Sequence, residues 1–198
     1  MKKVRLFQVT TLCGLALAVF WLATGVRADS EARLDTLGVE RDGQRLLVSC
    51  QLSGAFDEPF RQRLQSGLPT PLVYRFVLER ERSSWFDASV ARSKVQVVAM
   101  FNAVTSEYLI NFKHDGDLIQ SRVVRDADEL ERAMTVLEDF PIFTLEGPLK
   151  DDDYYVRARA ELGTRTVLAF IPRTLSTDWA KTGNLRLGGA ANAAASTP

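Results

Sequence analysis

The sequence predicts a mainly β protein, an antiparallel β-sandwich with two short helices. An immunoglobulin-like topology is compatible with this prediction. Two observations predict this class. Many short segments alternate apolar with polar residues, as strands with one buried face do. Strong two-residue turn signals, Asp42-Gly43 and Asp115-Gly116, join neighbouring segments as hairpins. A closed barrel satisfies the same pattern and remains the alternative.

The longest alternating segment, residues 72–87, is the one that the other strands are expected to surround. Because successive strand residues point to opposite faces, one face is apolar and carries Leu72, Tyr74, Phe76 and Leu78. The segment then becomes wholly polar from Glu79 to Arg82, before the aromatic pair Trp85-Phe86. The sequence therefore predicts a long strand that is buried in its middle and projects beyond the core at its polar end.

Alternation predicts the remaining strands at residues 33–40, 45–52, 94–103, 107–113, 118–124, 143–145, 154–162, 166–171 and 185–187. The strand at 45–52 places Cys50 on the same face as Leu46, Val48 and Leu52. A thiol on an apolar strand face is expected to be buried and unreactive.

Two helices are predicted between these strands. The first begins after the N-cap Asp57 and ends near Ser66. The second begins after the N-cap Asp126, where Glu129 completes a capping box. Pro141 is expected to end it. Its buried stripe consists of Leu130, Ala133, Met134 and Leu137.

The first 28 residues have the layout of a secretory signal peptide: a basic start, an apolar run at 12–23, and small residues before Asp29. The apolar run is shorter than the roughly 20 residues of a spanning helix, so we expect cleavage, with retention at the inner membrane as the alternative. The expected organisation is a signal peptide at 1–28, one β-sandwich domain at 29–187 and a disordered tail at 188–198. We therefore expect an exported, periplasmic protein.

The charge balance argues against nucleic acid as a partner. The full chain has 25 basic and 25 acidic residues, and residues 1–28 contain four of the basic residues and no acid. Without them the net charge is −4, which gives no electrostatic reason to bind nucleic acid. Cys13 lies in the same segment, so Cys50 would be left alone and no internal disulfide is expected.

Signals for catalysis or metal binding are weak. His114, the one histidine, lies beside the Asp115-Gly116 turn, where we expect a solvated side chain without the buried acid that orients a catalytic imidazole. Asp151, Asp152 and Asp153 lack the spacing of a calcium loop and are interpreted as a solvated strand entry. No phosphate loop, nucleophile elbow or Cys-x-x-Cys motif is present. We therefore expect no catalytic residue, no metal and no cofactor.

Long polar side chains near two strand ends form the candidate partner surface. Arginines and aromatic residues on a sheet face are typical of protein interfaces. The alternative interpretation is cross-strand pairing that keeps the face solvated and prevents edge association. The residues are Glu79, Arg80, Arg82 and Trp85 from the long strand, and Tyr155, Arg157 and Arg159 from the strand at 154–162.

Several segments in this order resemble an uncharacterised exported proteobacterial family, domain of unknown function 4390. They are Ser66-Gly67-Leu68-Pro69 leading into Val73-Tyr74-Arg75-Phe76, then Trp85-Phe86-Asp87, Tyr108-Leu109-Ile110, residues 155–162 and the region of Trp179. The resemblance covers most of the chain after residue 28 and implies no catalytic residues. Genes of this family often lie beside that of a membrane sensor kinase, which implies an envelope setting and makes such a kinase one candidate partner.

Taken together, these patterns favour a non-enzymatic envelope protein that binds another protein or has a structural role. The alternative is a hydrolase that acts on cell-wall or polysaccharide substrates through a carboxylate pair. A deep cleft that holds two acids with raised pKa values would favour the hydrolase, whereas a flat face of arginine and tyrosine would favour the binding protein. Oligomeric state has no signal in the sequence.

The signal-peptide interpretation makes a direct prediction. Protein isolated from its native host should begin at or next to Asp29, because the small residues Val26 and Ala28 precede that position. Intact-mass measurement of the isolated protein checks this. Membrane-bound protein that still carries Met1 would contradict it.

Overall fold

The structure is a computed structural model that describes residues 32–82, 87–147, 149–167 and 171–188. The predicted signal peptide, Trp85, and the tail from residue 189 onward lie outside the described residues. In chain order the elements are β1 (Arg33–Asp42), β2 (Arg45–Ser53), α1 (Glu58–Gln65), β3 (Thr70–Arg80), β4 (Ala88–Asn102), β5 (Glu107–His114), β6 (Asp117–Val124), α2 (Ala127–Thr135), β7 (Val136–Thr144), β8 (Asp153–Val167), β9 (Ile171–Ser176), β10 (Ala180–Lys181) and β11 (Leu185–Arg186).

The strands form two antiparallel sheets, which confirms the predicted mainly β, sandwich-like class. The small sheet has the order β1-β2-β7, and the large sheet has the order β10-β8-β3-β4-β5-β6, with β9 and β11 also paired to β8. The described strands do not close into one barrel, so that alternative is wrong. The apolar faces of both sheets and the two helices contribute to one buried cluster.

Strand β3 lies inside the large sheet, paired with β4 on one side and β8 on the other. Its inward residues are fully or almost fully buried, as the alternation predicts: Leu72, Tyr74, Phe76 and Leu78. The strand ends at Arg80, earlier than the predicted segment. The polar end also projects less than expected, because the side chains of Glu79 and Arg80 are only 12% and 15% exposed.

The first hairpin differs from the prediction by one residue. Asp42 pairs with Arg45 in the ladder, so the two-residue loop is Gly43 and Gln44. Gly43 has a φ of +59°, a conformation that glycine adopts without steric cost. On β2, Cys50 is 3% exposed and faces the core as the alternation predicts. Burial raises the pKa of its thiol to about 12, which keeps it protonated and unreactive.

The second helix is shorter than predicted. Asp126 caps it by accepting from the amide of Glu129 at 2.8 Å, but the helix ends at Thr135 and Leu137 belongs to β7. Leu137 pairs with Cys50 of β2, so a strand contact replaces the last helical turn. Pro141 lies within β7, beside a shift in the ladder. A proline is tolerated there because β7 is an edge strand, where one side of the backbone has no partner strand.

In the part of the chain that the structure describes, no helix is long and apolar enough to cross a membrane.

The alternation of β3 predicts where substitutions will destabilise the fold. Phe76→Ala should lower the free energy of unfolding by about 3–5 kcal/mol, because the ring is 1% exposed and its loss leaves a cavity. Val104→Ala is the apolar control, since Val104 is 93% exposed, and it should change stability by no more than about 0.5 kcal/mol. Denaturant titration measures both variants. Equal decreases in the free energy of unfolding of the two variants would show that the apolar face of β3 does not form part of the core.

Candidate functional site

The outward residues of β3 meet outward residues of both neighbouring strands in cross-strand rows. In one row Arg75 lies opposite Arg159 of β8 and opposite Lys94 of β4. In the next row Val77 lies between Arg157 and Arg92. Five cations thus lie together on the outer face of the large sheet. We call this set, Arg75, Arg92, Lys94, Arg157 and Arg159, the cationic rows.

Two carboxylates in the cross-strand rows on either side of the cationic rows offset part of this charge. Glu161 accepts hydrogen bonds from Arg75 Nε at 2.6 Å and from Arg159 at 3.0 Å. Burial by itself raises the pKa of Glu161, but the hydrogen bond and charge of Arg75 and the charge of Arg159 outweigh it, so the pKa lies below its ordinary value. In the row on the other side, Glu79 accepts from Arg157 at 2.8 Å. The opposing arginines Arg75 and Arg159 are therefore held by one shared acid, Glu161.

Tyr155 is buried beneath this face. It is 4% exposed, whereas the sequence predicts an exposed side chain on a partner surface, so the expected exposure is not observed. Its hydroxyl lies 2.6 Å from Glu79 Oε2 and 2.5 Å from Asp87 Oδ2, and Lys181 Nζ lies 3.6 Å from its ring centroid. Burial, followed by the hydrogen bonds to Asp87 and Glu79, raises the pKa of the phenol. Tyr155 therefore links Glu79 and Asp87 through its hydroxyl.

Trp179 provides an aromatic surface beside the cationic rows. The guanidinium carbons of Arg157 and Arg159 each lie 4.9 Å from its ring centroid, within the range of a cation–π contact. Trp179 is nevertheless 38% exposed, and the side chains of Arg157 and Arg159 are 37% and 33% exposed. The three side chains form a partly exposed cluster in mutual contact, which we call the Arg-Trp cluster.

The Arg-Trp cluster and the cationic rows line one shallow groove of about 380 Å³. All five cations of the rows line it, and the acids that line it are Glu79 and Asp115. Even with Glu161 just beyond its edge, the groove has more positive than negative side chains. Such a surface is suited to a charged, partly aromatic contact with another molecule.

The other predicted surface residues are not part of this groove. Arg80 follows Leu78 on the core side of β3, and its guanidinium lies 3.6 Å from Asp152. Arg82 lines a separate depression of about 560 Å³ together with Glu81, Asp151, Asp152, Asp153 and Arg186. Trp85 lies outside the described residues. The structure thus brings Glu79, Arg157 and Arg159 together and separates Arg80 and Arg82 from them.

The sequence analysis did not assign Arg75, Arg92, Lys94 or Trp179 to the candidate partner surface, although all four line the groove. Arg75 alternates with the buried Tyr74 and Phe76, so the local pattern is enough to place it on the outward face of the long strand. The positions of Arg92 and Lys94 opposite β3 depend on the register between β3 and β4, which a single sequence does not give. Trp179 directly precedes β10. Because the two residues of β10 pair with Ala158 and Arg157 of β8, Trp179 lies beside the groove.

His114 differs from the solvated turn residue that was expected. Its side chain is 29% exposed, its ring packs edge-on against Phe140 at 5.9 Å, and its Nε2 lies 2.8 Å from Ser93 Oγ. Asp115 approaches the same Nε2 at 3.3 Å, whereas a catalytic triad places its acid on the other ring nitrogen. Ser93 is also only 6% exposed. This geometry is that of a packed histidine.

For metals, the described ranges contain no group of three or more histidine, cysteine, aspartate or glutamate side chains that could hold an ion. Asp151 and Asp152 directly precede β8, and Asp153 is its first residue. Asp152 lies 3.6 Å from the guanidinium of Arg80, and Asp153 lies 3.8 Å from that of Arg186.

The shared carboxylate predicts a pH-dependent contribution to stability. Glu161→Gln removes the charge that holds Arg75 and Arg159, so it should lower the free energy of unfolding at pH 7 by about 1–2 kcal/mol, a modest value because Arg75 is 45% exposed. The folded pKa of Glu161 lies below the reference value of 4.5, so its contribution is complete above that pH and is lost as the pH falls through the folded pKa. The difference between variant and wild type should therefore shrink in acid.

Denaturant titrations at several pH values measure this difference. Glu146→Gln is the control, because Glu146 is exposed and should show no difference beyond about 0.5 kcal/mol at any pH. A difference for Glu161→Gln that stays constant down to low pH would contradict the charge argument.

Comparison with known proteins agrees with the resemblance seen in the sequence. A search of curated proteins and a search of solved structures each gave no significant match. A protein family described as "Domain of unknown function (DUF4390)" matches residues 29–182. The match spans β1 to β10 and so includes every residue of the groove. Since it covers well over half of the chain, this protein belongs to the DUF4390 family.

Proposed function

We propose that the protein is a non-enzymatic binding module of the cell envelope, which binds another protein through the groove on the outer face of its large sheet. The observation that carries this proposal is the Arg-Trp cluster. Arginine and tryptophan are, with tyrosine, the residue types enriched at the energetic centres of protein interfaces. Here they are partly exposed and stacked on one another, away from the chain's apolar core.

Order in the free protein strengthens the argument. Binding usually costs about 0.5–1.5 kcal/mol for each flexible side chain that becomes fixed. Arg157 is already held by Glu79, and Arg159 by Glu161, at 2.8 and 3.0 Å. Both also contact Trp179, so a partner would meet side chains whose freedom is already restricted. A preorganised, partly exposed cluster is well suited to recognition.

The envelope setting rests on the predicted signal peptide and on the resemblance described above. A protein that faces the periplasm is an expected kind of partner, and a membrane sensor kinase remains one candidate. The proposal does not involve nucleic acid, since the chain without residues 1–28 has a net charge of −4.

One observation bears on the alternative, a hydrolase with a carboxylate pair. Glu79 and Asp87 both contact the hydroxyl of Tyr155, so their nearest oxygens are at most about 5 Å apart, close to the spacing of about 5–5.5 Å in retaining glycosidases. However, the phenol occupies the space between them. Hydrogen bonds from Tyr155 and from the Arg82 amide lower the pKa of Asp87, whereas a general acid needs a raised pKa. We therefore favour the binding module.

The proposal predicts that the Arg-Trp cluster matters to binding more than to folding. Trp179→Ala and Arg159→Ala should each weaken partner recovery by roughly 30-fold or more, the effect of losing a contact worth about 2 kcal/mol. Arg125→Ala is the matched control, because Arg125 is 79% exposed and lies outside the groove, and it should recover the same partner as wild type. Tagged full-length protein is expressed in its native host, and cross-linked partners are quantified by mass spectrometry.

Thermal melts of each variant separate binding from folding. A near-normal melt with the partner lost from Trp179→Ala and retained by Arg125→Ala supports the proposal. If Trp179→Ala and Arg159→Ala melt normally and recover every wild-type partner, the groove is not the binding surface and the proposal fails.

A further inference from the structure

The arrangement of charge in the groove is unusual for a sheet that has only to be stable. Arg159, Arg75 and Lys94 lie directly opposite one another on three adjacent strands, which are about 4.8 Å apart. Like charges that are directly opposite on neighbouring strands destabilise a sheet. A sheet face selected for stability alone would alternate cations with acids along such a row.

The acids of the face do not neutralise the whole row. Glu161 is shared by Arg75 and Arg159, and Glu79 pairs with Arg157. Asp115 accepts from the backbone amide of Lys94 at 2.7 Å and lies beside His114. Within the described residues, the side chains of Arg92 and Lys94 form no ion pair. The β4 side of the groove therefore presents two cations that are available to an incoming anion.

The acids nevertheless restrict what that anion can be. Glu79 and Asp115 line the groove, and Glu161 lies at its edge, so a densely charged polyanion would bring its negative charges against three carboxylates. A peptide with isolated carboxylates can place them on Arg92 and Lys94 and keep uncharged groups elsewhere. Trp179, 38% exposed at the opposite side of the groove, offers an apolar contact to such uncharged groups.

We infer that the groove recognises an acidic segment of the partner protein, whose carboxylates lie on Arg92 and Lys94 of β4 while its uncharged part lies against the Arg-Trp cluster. This inference rests on the proposed function and adds the chemistry of the partner to it. The segment needs only a few residues, because the groove has a volume of about 380 Å³. Its attraction is electrostatic and exposed, so it weakens as salt rises.

A defined probe tests this chemistry without knowledge of the partner. The probe is a dye-labelled peptide in which glutamate alternates with glycine, and the comparison probes are the matching lysine peptide and an inorganic polyphosphate chain. Binding to the full-length protein is followed by fluorescence anisotropy at low and at physiological salt. We expect the glutamate peptide to bind, the lysine peptide not to bind, and polyphosphate to bind more weakly per charge.

The variant that tests the site is Arg92→Gln combined with Lys94→Gln, which removes both positive charges and leaves a polar amide on each side chain. It should weaken binding of the glutamate peptide at least about tenfold, and Arg125→Ala should leave binding unchanged. The double variant should melt at or above the wild-type temperature, because it removes cations from a like-charged row. The single variant Arg92→Gln, at an exposed position, provides a second test of the same site.

Three results would overturn the inference: equal binding of the glutamate peptide to wild type and the double variant, no binding at low salt, or tighter binding of polyphosphate than of peptide. Partner recovery separates it from the proposed function. If the double variant retains the partner that Trp179→Ala loses, the acidic-segment inference fails and the binding module stands. If both variants retain it, the proposed function itself fails.

Discussion

The register of β3 with its two neighbours is the constraint on which the rest of the structure depends. One face of β3 is apolar and almost completely buried. Because strand residues alternate between faces, the residues between these apolar ones must point outward. A shift of one residue would place Arg75 and Glu79 in the core and Phe76 in solvent. The pairings of Arg75 with Arg159 and Lys94 follow from this alignment. The charges on the outer face are thus a consequence of hydrophobic burial on the inner face.

The sequence was informative where one strand or one helix turn determines the outcome. The alternation in residues 72–78 identified the buried face, and the alternation in residues 155–160 placed Arg157 and Arg159 on one outward face. The caps Asp57 and Asp126 marked both helix starts, because a cap is a local hydrogen bond between a side chain and an amide two or three residues later. These signals need no knowledge of distant parts of the chain.

Failures occurred where a distant segment determines the environment. Tyr155 alternates with buried residues of its strand and was therefore expected to be exposed. Asp87 and Lys181, which are far away in the sequence, contact its side chain. The second helix was extended through Leu137 because its spacing fits a helical stripe, yet pairing with β2 places that residue in a strand. Arg80 was grouped with Glu79 as part of one polar end, although successive residues of a strand face opposite ways. The groove combines β3, β4, β8 and the segment around Trp179, which no local pattern links.

The order of strands in the two sheets has a consequence for how the chain matures. β2, at residues 45–53, takes its second partner from β7, at residues 136–144, and β3, at 70–80, takes one from β8, at 153–167. Contacts between segments this far apart form slowly, because a long loop must close before they stabilise anything. Synthesis begins at the N-terminus, so an incomplete chain has β2 and β3 with open edges that invite association with other chains. The final third of the sequence supplies the strands that complete both sheets. A truncated chain that lacks this third would therefore have unpaired strands and would not form a smaller folded domain.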